Sequence, residues 1–230
     1  HDAMRSGELT AEELVNKYLI RIERFDRQEG GINSIVNINE NAKDRAIELD
    51  KSLHTEGLSG RLHGIPLVVK DQAMTSDITT TFGSKVFDSF VPETDAAIVK
   101  RIREEGGIII GKTAMNDWGA GDSGVSSIVG QTKNPYDMNR DPGGSSCGTG
   151  AAVAANLAAI GIGEDTGGSI RAPASCCNLF GIRVTTGLIS RSGLSPLVKR
   201  NDTAGPMART VDDLIRLLDV ITGYDSDDIY

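Results

Sequence analysis

Two short loops in the sequence place serine hydroxyls next to pairs of glycines. Residues 143–146 read GGSS, and residues 167–169 read GGS. Glycine lets the main chain approach a ligand closely or point N–H groups at it, at an entropic cost that ordinary surface loops have little reason to carry. A serine hydroxyl becomes a nucleophile for a carbonyl carbon when a neighbouring base takes its proton. The two loops therefore predict a reactive site.

Lys70 is a candidate for that base. Residues 64–71 read GIPLVVKD, a continuous apolar run that ends in two charges. Such a run is typical of a buried strand whose last residues emerge at the edge of a sheet. The ordinary interpretation of this lysine is a surface side chain that extends its amine into water. A desolvated lysine would instead have a lowered pKa and could act as a base, and the residues alone leave both interpretations open.

The elements around the two loops predict how the serines are positioned. Residues 151–159 are alanine-rich and predict a helix, and residues 160–163 (IGIG) predict a short strand. A helix beginning at Thr94 stops at a pair of glycines, and the apolar residues 108–110 predict a central strand. This alternation of strands and helices indicates an α/β sheet with helices on its faces. Both serine loops would then meet at one end of the sheet.

The N-terminal and C-terminal segments predict packing helices. Thr10 and Glu13 form a capping-box pattern, which begins an amphipathic helix that ends near Gly30. Thr210 is the predicted N-cap of a last helix over residues 211–221. The other predicted elements are a strand near residues 35–38, a helix over 41–53, a loop over 71–90, a turn from 171 onwards, and strand and turn over 181–195. Residues 113–127 follow the central strand, where α/β sheets bind ligands, and predict a pocket wall.

Composition limits the class of protein. The chain has 230 residues, of which 39% are hydrophobic, enough for one substantial core and therefore one domain. A formal net charge of −8 argues against a nucleic-acid surface, which needs clustered Lys and Arg. The sequence contains no apolar run of about 18 residues and no signal-peptide core at its N-terminus. We therefore predict no membrane span and no nucleic-acid partner.

The three cysteines do not predict a disulfide framework. They are Cys147 and the adjacent pair Cys176 and Cys177, which is poorly placed to form a bond. This usage favours a reducing, cytoplasmic setting. The cysteine pair could join His54 or His63 in a metal site, but neither C-x-x-C nor H-x-x-x-H spacing is present. Buried cysteines that pack as small hydrophobes are the preferred interpretation.

From about residue 10 to the end, the chain resembles the amidase signature family, serine hydrolases with a Ser–Ser–Lys arrangement. The resemblance rests on GGSS at 143–146, on DTGGSIRAP at 165–173, and on Lys70 in PLVVKD. It implies a mixed, mostly parallel central sheet covered by helices on both faces. It also implies three catalytic residues: Ser169 as the nucleophile, Ser145 as a bridge, and neutral Lys70 as the base that starts the relay.

The resemblance assigns further roles around the nucleophile. The main-chain N–H groups of Thr166, Gly167 and Gly168 would form the oxyanion hole, where loss of one donor typically costs about 3 kcal/mol. Ser145 would hydrogen-bond both Lys70 and Ser169, and the peptide bond before Ser145 would be cis. The expected supporting residues are Ser146, beside Lys70, and Asp165 and Arg171, which would tie the second loop.

Family members are usually about twice this long. Residues 1–230 are therefore expected to form an amidase signature domain that is incomplete at the C-terminus. Within it, we expect an N-terminal packing helix in residues 1–30 and a catalytic core in residues 64–195. The sequence departs from the family pattern at Cys147, where glycine is usual, and at Cys176-Cys177-Asn178, where Phe-Cys-Gly is usual. Neither departure changes a catalytic position.

The implied activity is hydrolysis of a carboxamide C–N bond in a small molecule through an acyl-enzyme on Ser169, without a metal or organic cofactor. One alternative within the family is the A-type subunit of a glutamine-dependent aminoacyl-tRNA amidotransferase, which would need a basic RNA-binding face as well as a partner subunit. The other is an inactive fragment of the fold. The sequence identifies neither the amide nor the oligomeric state.

Two interpretations from other classes are weaker. Residues 144–148 (GSSCG) satisfy the nucleophile-elbow pattern with Ser146 as nucleophile, but the elbow must follow a hydrophobic strand and needs a later histidine. The loop instead follows NRDP, and the histidines are His1, His54 and His63. A phosphate-binding module would need a glycine-rich loop ending in Gly-Lys-Ser/Thr, or G-x-G-x-x-G directly after a strand. The sequence GTG at 148–150 meets neither requirement.

Overall fold

The computed structural model describes residues 1–228, so the last two positions of the predicted domain 1–230 lie outside the described residues. The helices are α1 (Asp2–Ser6), α2 (Ala11–Phe25), α3 (Ala42–Glu56), α4 (Ala97–Glu104), α5 (Cys147–Ala154), α6 (Arg171–Cys176) and α7 (Val211–Ile221). The strands are β1 (Ile35–Ile38), β2 (Pro66–Lys70), β3 (Ile108–Thr113), β4 (Val125–Ser126), β5 (Gly130–Gln131), β6 (Ile160–Glu164), β7 (Phe180–Gly181) and β8 (Ala204–Ala208).

One sheet organises the molecule. Its strand order is β1-β3-β2-β6-β8-β7, and the small pair β4–β5 stands apart from it. The three central strands β3, β2 and β6 are parallel, whereas β1 pairs antiparallel with β3, and β8 pairs antiparallel with both β6 and β7. Because β2 and β6 are parallel neighbours, the segments that follow them leave the same edge of the sheet. The mixed α/β sheet predicted from the sequence is confirmed.

Helices cover both faces of the sheet because the inner strands are apolar in both directions. Leu67 and Val69 face a core that contains residues of α4 and α7. Val68, between them, faces the opposite core, which contains residues of α2, α3 and α5. Every residue of β2, β3 and β6 is buried. Strands buried on both faces read as continuous apolar runs, which is why the sequence revealed them.

Capping chemistry sets several helix ends where the sequence predicts them. The capping box at Thr10 and Glu13 is present, and Thr210 accepts a hydrogen bond from the N–H of Asp213. Helix α2 ends at Phe25 rather than near Gly30. The buried Asp26 carboxylate accepts hydrogen bonds from the N–H groups of Ser34 and Ile35, and so folds the chain directly back into β1.

The C-terminal third differs most from the sequence prediction. Of the strand predicted over 181–195, the structure contains only β7, and the turn expected from Arg171 is the short helix α6. β6 pairs instead with the antiparallel strand β8, whose Pro206 stands opposite Ile162. Proline lacks an N–H donor and argues against a strand, so the sequence concealed this element.

Candidate active site

Lys70 and Ser145 form the centre of the site. Lys70 ends β2, and Ser145 lies in the loop before α5. Lys70 Nζ and Ser145 Oγ are 2.8 Å apart in a hydrogen bond, although the two residues are far apart in the chain. Lys70 is 1% exposed and Ser145 is fully buried. The structure therefore places the predicted base in a dry setting against the hydroxyl of the predicted bridging serine.

Glu164 also contacts the amine of Lys70, and it was not among the residues predicted for the site. It ends β6, the strand beside β2. Lys70 Nζ lies 3.3 Å from the main-chain oxygen of Glu164 and 3.4 Å from its carboxylate Oε2. Both side chains are almost completely buried, at 1% and 3% exposure. The available signal was that two apolar strands, VVK and IGIGE, each end in a charged residue.

Burial shifts this pair of groups towards its neutral forms. Desolvation lowers the pKa of Lys70, and the Glu164 carboxylate opposes that effect. Desolvation raises the pKa of Glu164, and the charge of Lys70 opposes that effect in turn. A lysine with a lowered pKa can be neutral, and therefore basic, at a lower pH than a lysine in water.

The first serine loop is closely packed. Gly143 has φ +74°, in the left-handed region that favours glycine. A β-carbon on Gly144 would lie 2.5 Å from Oδ1 of Asn116, so only glycine fits there. The peptide bond between Gly144 and Ser145 is cis, as predicted from the resemblance. These two glycines allow the loop to bring Ser145 under the end of β2.

Ser146 supports the site through Glu164 rather than through Lys70. Its hydroxyl donates to the carbonyl oxygen of Glu164 and accepts from the N–H of Glu164, both at 3.1 Å. Its own N–H donates to the carbonyl oxygen of Ser169 at 3.2 Å. Ser146 is fully buried. A buried serine hydroxyl with both bonds used is a poor nucleophile, which argues against the elbow interpretation.

Asp165 organises the second serine loop. Its carboxylate accepts from the N–H groups of Gly168 at 2.7 Å and Ile170 at 3.0 Å. The guanidinium of Arg171 adds two bonds of 3.1 Å, and Arg183 approaches within 3.4 Å. Burial alone would raise the pKa of Asp165, but the hydrogen bonds from Arg171 and from main-chain N–H groups hold it below its ordinary value. Asp165 and Arg171 therefore act as ties within the loop.

Ser169 is half-buried in the turn before α6, directly after two glycines. Within residues 1–228, its hydroxyl forms no hydrogen bond, so the expected bond to Ser145 is not formed. The N–H groups of Thr166, Gly167 and Ser169 also donate no hydrogen bond to the described part of the chain. The N–H of Gly168, by contrast, is bound by Asp165. Three of the four successive N–H groups from Thr166 to Ser169 are thus available to a ligand.

The loop after β3 lies close to Ser145. A β-carbon on Gly119 would lie 3.8 Å from both Ser145 Oγ and Gln72 Oε1. The neighbouring Trp118 is 45% exposed and packs edge-on against Phe87, with 5.3 Å between ring centroids. The pocket wall predicted for residues 113–127 is therefore in contact distance of the first serine loop.

Cys147 does not act as a reactive thiol in this arrangement. It is fully buried, and its thiol donates to the carbonyl oxygen of Ala114 at 3.3 Å. Burial raises the pKa of Cys147, which disfavours the thiolate. Within residues 1–228 the three cysteines are free.

Residues 1–228 contain no group of His, Cys, Asp or Glu that could hold a metal ion. No helix among them is long and apolar enough to cross a membrane.

Two curated relatives are A-type subunits of an amidotransferase. The chain is 42% identical over 223 residues to the A-type subunit of glutamyl-tRNA(Gln) amidotransferase from Chromohalobacter salexigens, covering 96% of this chain and 45% of that protein. The corresponding protein of Exiguobacterium sibiricum is 40% identical, with 97% and 46% covered. The chain thus spans about half the length of the curated relatives it matches.

Solved structures extend the likeness to a second kind of protein. Peptide amidase from Stenotrophomonas maltophilia is 39% identical and superposes with a TM-score of 0.95, covering 99% of this chain and 47% of that chain. The A-type subunit of glutamyl-tRNA(Gln) amidotransferase from Thermotoga maritima is 32% identical with a TM-score of 0.83, and 95% and 45% are covered. The family model described as Amidase matches residues 13–230. Because that match includes both serine loops and Lys70, on nearly the whole length of the sequence, the chain belongs to the amidase signature family.

Proposed function

We propose that this chain carries the catalytic centre of a serine amidohydrolase that cleaves a carboxamide C–N bond. The hydrogen bond of 2.8 Å between Lys70 and Ser145 carries the proposal. This bond joins the desolvated amine of Lys70 to the hydroxyl of Ser145. The next residue, Ser146, donates its N–H to the main-chain oxygen of Ser169. A base and a relay hydroxyl beside a half-buried serine are the parts that an activated nucleophile needs.

Ser169 is the proposed nucleophile. Its oxygen forms a bond to the carbonyl carbon of the amide while its proton passes to Ser145, and the proton of Ser145 passes to Lys70. The negative charge then lies on the former carbonyl oxygen, where free N–H groups stabilise it. We assign this role to Thr166, Gly167 and Ser169 and not to Gly168, because Asp165 already binds the Gly168 N–H.

Collapse of the intermediate breaks the C–N bond. The proton held on Lys70 returns through Ser145 to the leaving nitrogen, so ammonia or an amine departs and an ester on Ser169 remains. Water then attacks this ester, and the same relay takes its proton and returns it to Ser169. The products are a carboxylic acid and the free enzyme, and no metal or organic cofactor takes part.

Turnover of amides by the full-length protein tests the proposal. The panel contains C-terminal peptide amides, simple primary amides and aryl amides, and Ser169→Ala is compared with Ser175→Ala, an exposed serine in α6. We expect Ser169→Ala alone to abolish turnover. A phosphonofluoridate should label Ser169, which mass spectrometry of the digest can locate. Equal turnover in the two variants, or labelling of Ser146, would exclude the mechanism.

A second candidate is the A-type subunit of a glutamine-dependent aminoacyl-tRNA amidotransferase. The names of the curated relatives favour it. The chemistry at Ser169 would be the same, with glutamine as the amide and ammonia passed on to a partner protein. The net charge of −8 does not favour direct binding of RNA by this chain. Glutamine hydrolysis that appears only when partner proteins are added would support this candidate, and rapid hydrolysis of other amides without partners would exclude it.

A further inference from the structure

We propose that Glu164 is a positioning residue that aims the lone pair of Lys70 at Ser145 and sets the strength of this base. The inference rests on the proposed function, since it concerns how Lys70 takes a proton. Lys70 Nζ has three hydrogen-bond partners: Ser145 Oγ at 2.8 Å, Glu164 O at 3.3 Å and Glu164 Oε2 at 3.4 Å.

A neutral amine has two N–H groups and one lone pair. The main-chain oxygen of Glu164 can only accept hydrogen bonds, and the same holds for Oε2 when the carboxylate is ionised, so these two oxygens take the two N–H groups. The lone pair then faces the third partner, the hydroxyl of Ser145. That orientation is the one in which Lys70 can accept the Ser145 proton. With a single acceptor missing, the amine could rotate and turn an N–H towards Ser145 instead.

Glu164 is itself held on both sides. Ser146 binds its main-chain N–H and carbonyl oxygen, each at 3.1 Å. On the side chain, Oε1 lies 3.3 Å from the hydroxyl of Thr166, which has one proton to share between Glu164 and Asp202. Glu164 is 2% exposed, so water does not compete for its oxygens. The acceptors that orient Lys70 are therefore fixed before a substrate binds.

The carboxylate also balances the charge that the relay creates. As the O–H bond of Ser145 breaks, a new N–H bond forms on Lys70, and an ammonium appears 3.4 Å from Glu164. The other charged groups facing Lys70 are Asp165, in the loop after β6, and the thiol of Cys147 in α5, which burial keeps neutral. Asp202 adds a second negative charge near Glu164, which raises the pKa of Glu164, and the Thr166 hydroxyl contacts both carboxylates. Glu164 is thus the charge in direct contact with the amine.

The test is Glu164→Gln in the full-length protein, because glutamine keeps the size and one acceptor oxygen but removes the charge. An opposite charge at this distance raises the pKa of a lysine, so its removal should lower the pKa of Lys70. We expect the acidic limb of kcat/KM to move to lower pH by the same amount. Glu164→Leu, which removes the side-chain acceptors, should lower kcat about 10²-fold at every pH. Glu104→Gln, on the exposed side of α4, is the matched control.

Carbon-13 NMR of labelled lysine side chains gives a readout that does not depend on turnover. The Lys70 resonance, identified by its absence in Lys70→Met, should titrate at lower pH in Glu164→Gln, and Glu164→Asp should give an intermediate shift. Unchanged titration in both variants would overturn the inference, whatever the activity. If the wild-type protein showed no turnover that depends on Ser169, the proposed function would be contradicted instead. The NMR titration of Lys70 would still decide the role of Glu164.

Discussion

Lys70 and Lys112 are two buried lysines on neighbouring parallel strands with different surroundings. In the register of β2 and β3, Val69 stands opposite Lys112. Both lysines are essentially unexposed, and desolvation lowers the pKa of each. Lys112 donates to the carbonyl oxygen of Ala73 at 2.6 Å and to the hydroxyl of Thr80 at 2.7 Å, and lies 3.3 Å from Asp71. Its partners belong to the loop that follows β2.

The difference shows that burial alone does not make a catalytic base. Both amines are buried away from water, and both contact a carboxylate. Only Lys70 contacts a serine hydroxyl, that of Ser145 in the glycine-rich loop before α5. Lys112 pins the chain after β2, where Asp71 also accepts hydrogen bonds from the N–H and hydroxyl of Thr81. We therefore infer that one lysine serves chemistry and the other serves architecture.

The largest effect is expected from removing each amine in turn and measuring turnover. Lys70→Met should lower kcat/KM by about 10³-fold, because loss of a general base typically costs 10²- to 10⁴-fold. Lys112→Met should keep kcat/KM within about tenfold per folded molecule, since Lys112 does not contact the serines. Folded protein is counted by circular dichroism, because labelling of Ser169 by the phosphonofluoridate itself depends on Lys70. Similar losses in the two variants would end the distinction between the lysines.

Lys112→Met should also lower the stability of the protein. Lys112→Met leaves the Asp71 carboxylate buried without its cation, and an uncompensated buried charge costs about 3–5 kcal/mol of the free energy of unfolding. Urea unfolding followed by circular dichroism measures this. Asp71→Asn combined with Lys112→Met removes both charges and should recover part of the loss. A single variant as stable as the wild type would mean that the pair contributes little to architecture.

The pH dependence of kcat/KM should follow Lys70 only. Protonated Lys70 cannot accept a proton, so activity should fall about tenfold per pH unit below its pKa, which lies below the ordinary 10.5. The pKa of Lys112 is also below 10.5, but its titration should leave the rate unchanged. Lysine NMR assigns the two titrations. An acidic limb that coincides with Lys112 would reverse the roles.

The smallest effect concerns the cysteines beside the site. Cys176 is exposed, whereas Cys147 and Cys177 are buried, and burial raises the pKa of Cys177 to about 12. A brief reaction with iodoacetamide should therefore modify Cys176 and leave turnover nearly unchanged. Peptide mapping locates the modification. Rapid modification of Cys147 would show that the dry surroundings of Lys70 open to solvent.

Local patterns in the sequence predicted the central part of the fold. Apolar runs of β2, β3 and β6 carry their own signal, and threonine caps mark the starts of α2 and α7. Glu164 was missed because its importance depends on sheet order, which places the end of β6 beside the end of β2. β8 was missed because Pro206 disfavours a strand locally, while tertiary packing between β6 and β7 accepts it.

The sequence could not separate the two lysines by physical argument. Both follow apolar residues in short strands, so hydrophobic pattern assigns them alike. The resemblance selected Lys70, and the contact with Ser145 gives the physical reason. Gly168 illustrates the reverse case: its place in the glycine-rich loop suggested an oxyanion donor, but only the structure shows that Asp165 uses its N–H.

The complete burial of β2, β3 and β6 has a consequence for motion. Amide hydrogens in such strands exchange with solvent mainly through global unfolding, whereas exposed loops exchange by local opening. Lys70 and Glu164 end two of these strands, and Gly167 is an exposed residue just before Ser169. The amide hydrogens around Lys70 and Glu164 should therefore exchange slowly, whereas those of the loop before Ser169 should exchange quickly. The proposed base would lie in a rigid part of the site and the proposed nucleophile in a part that opens locally.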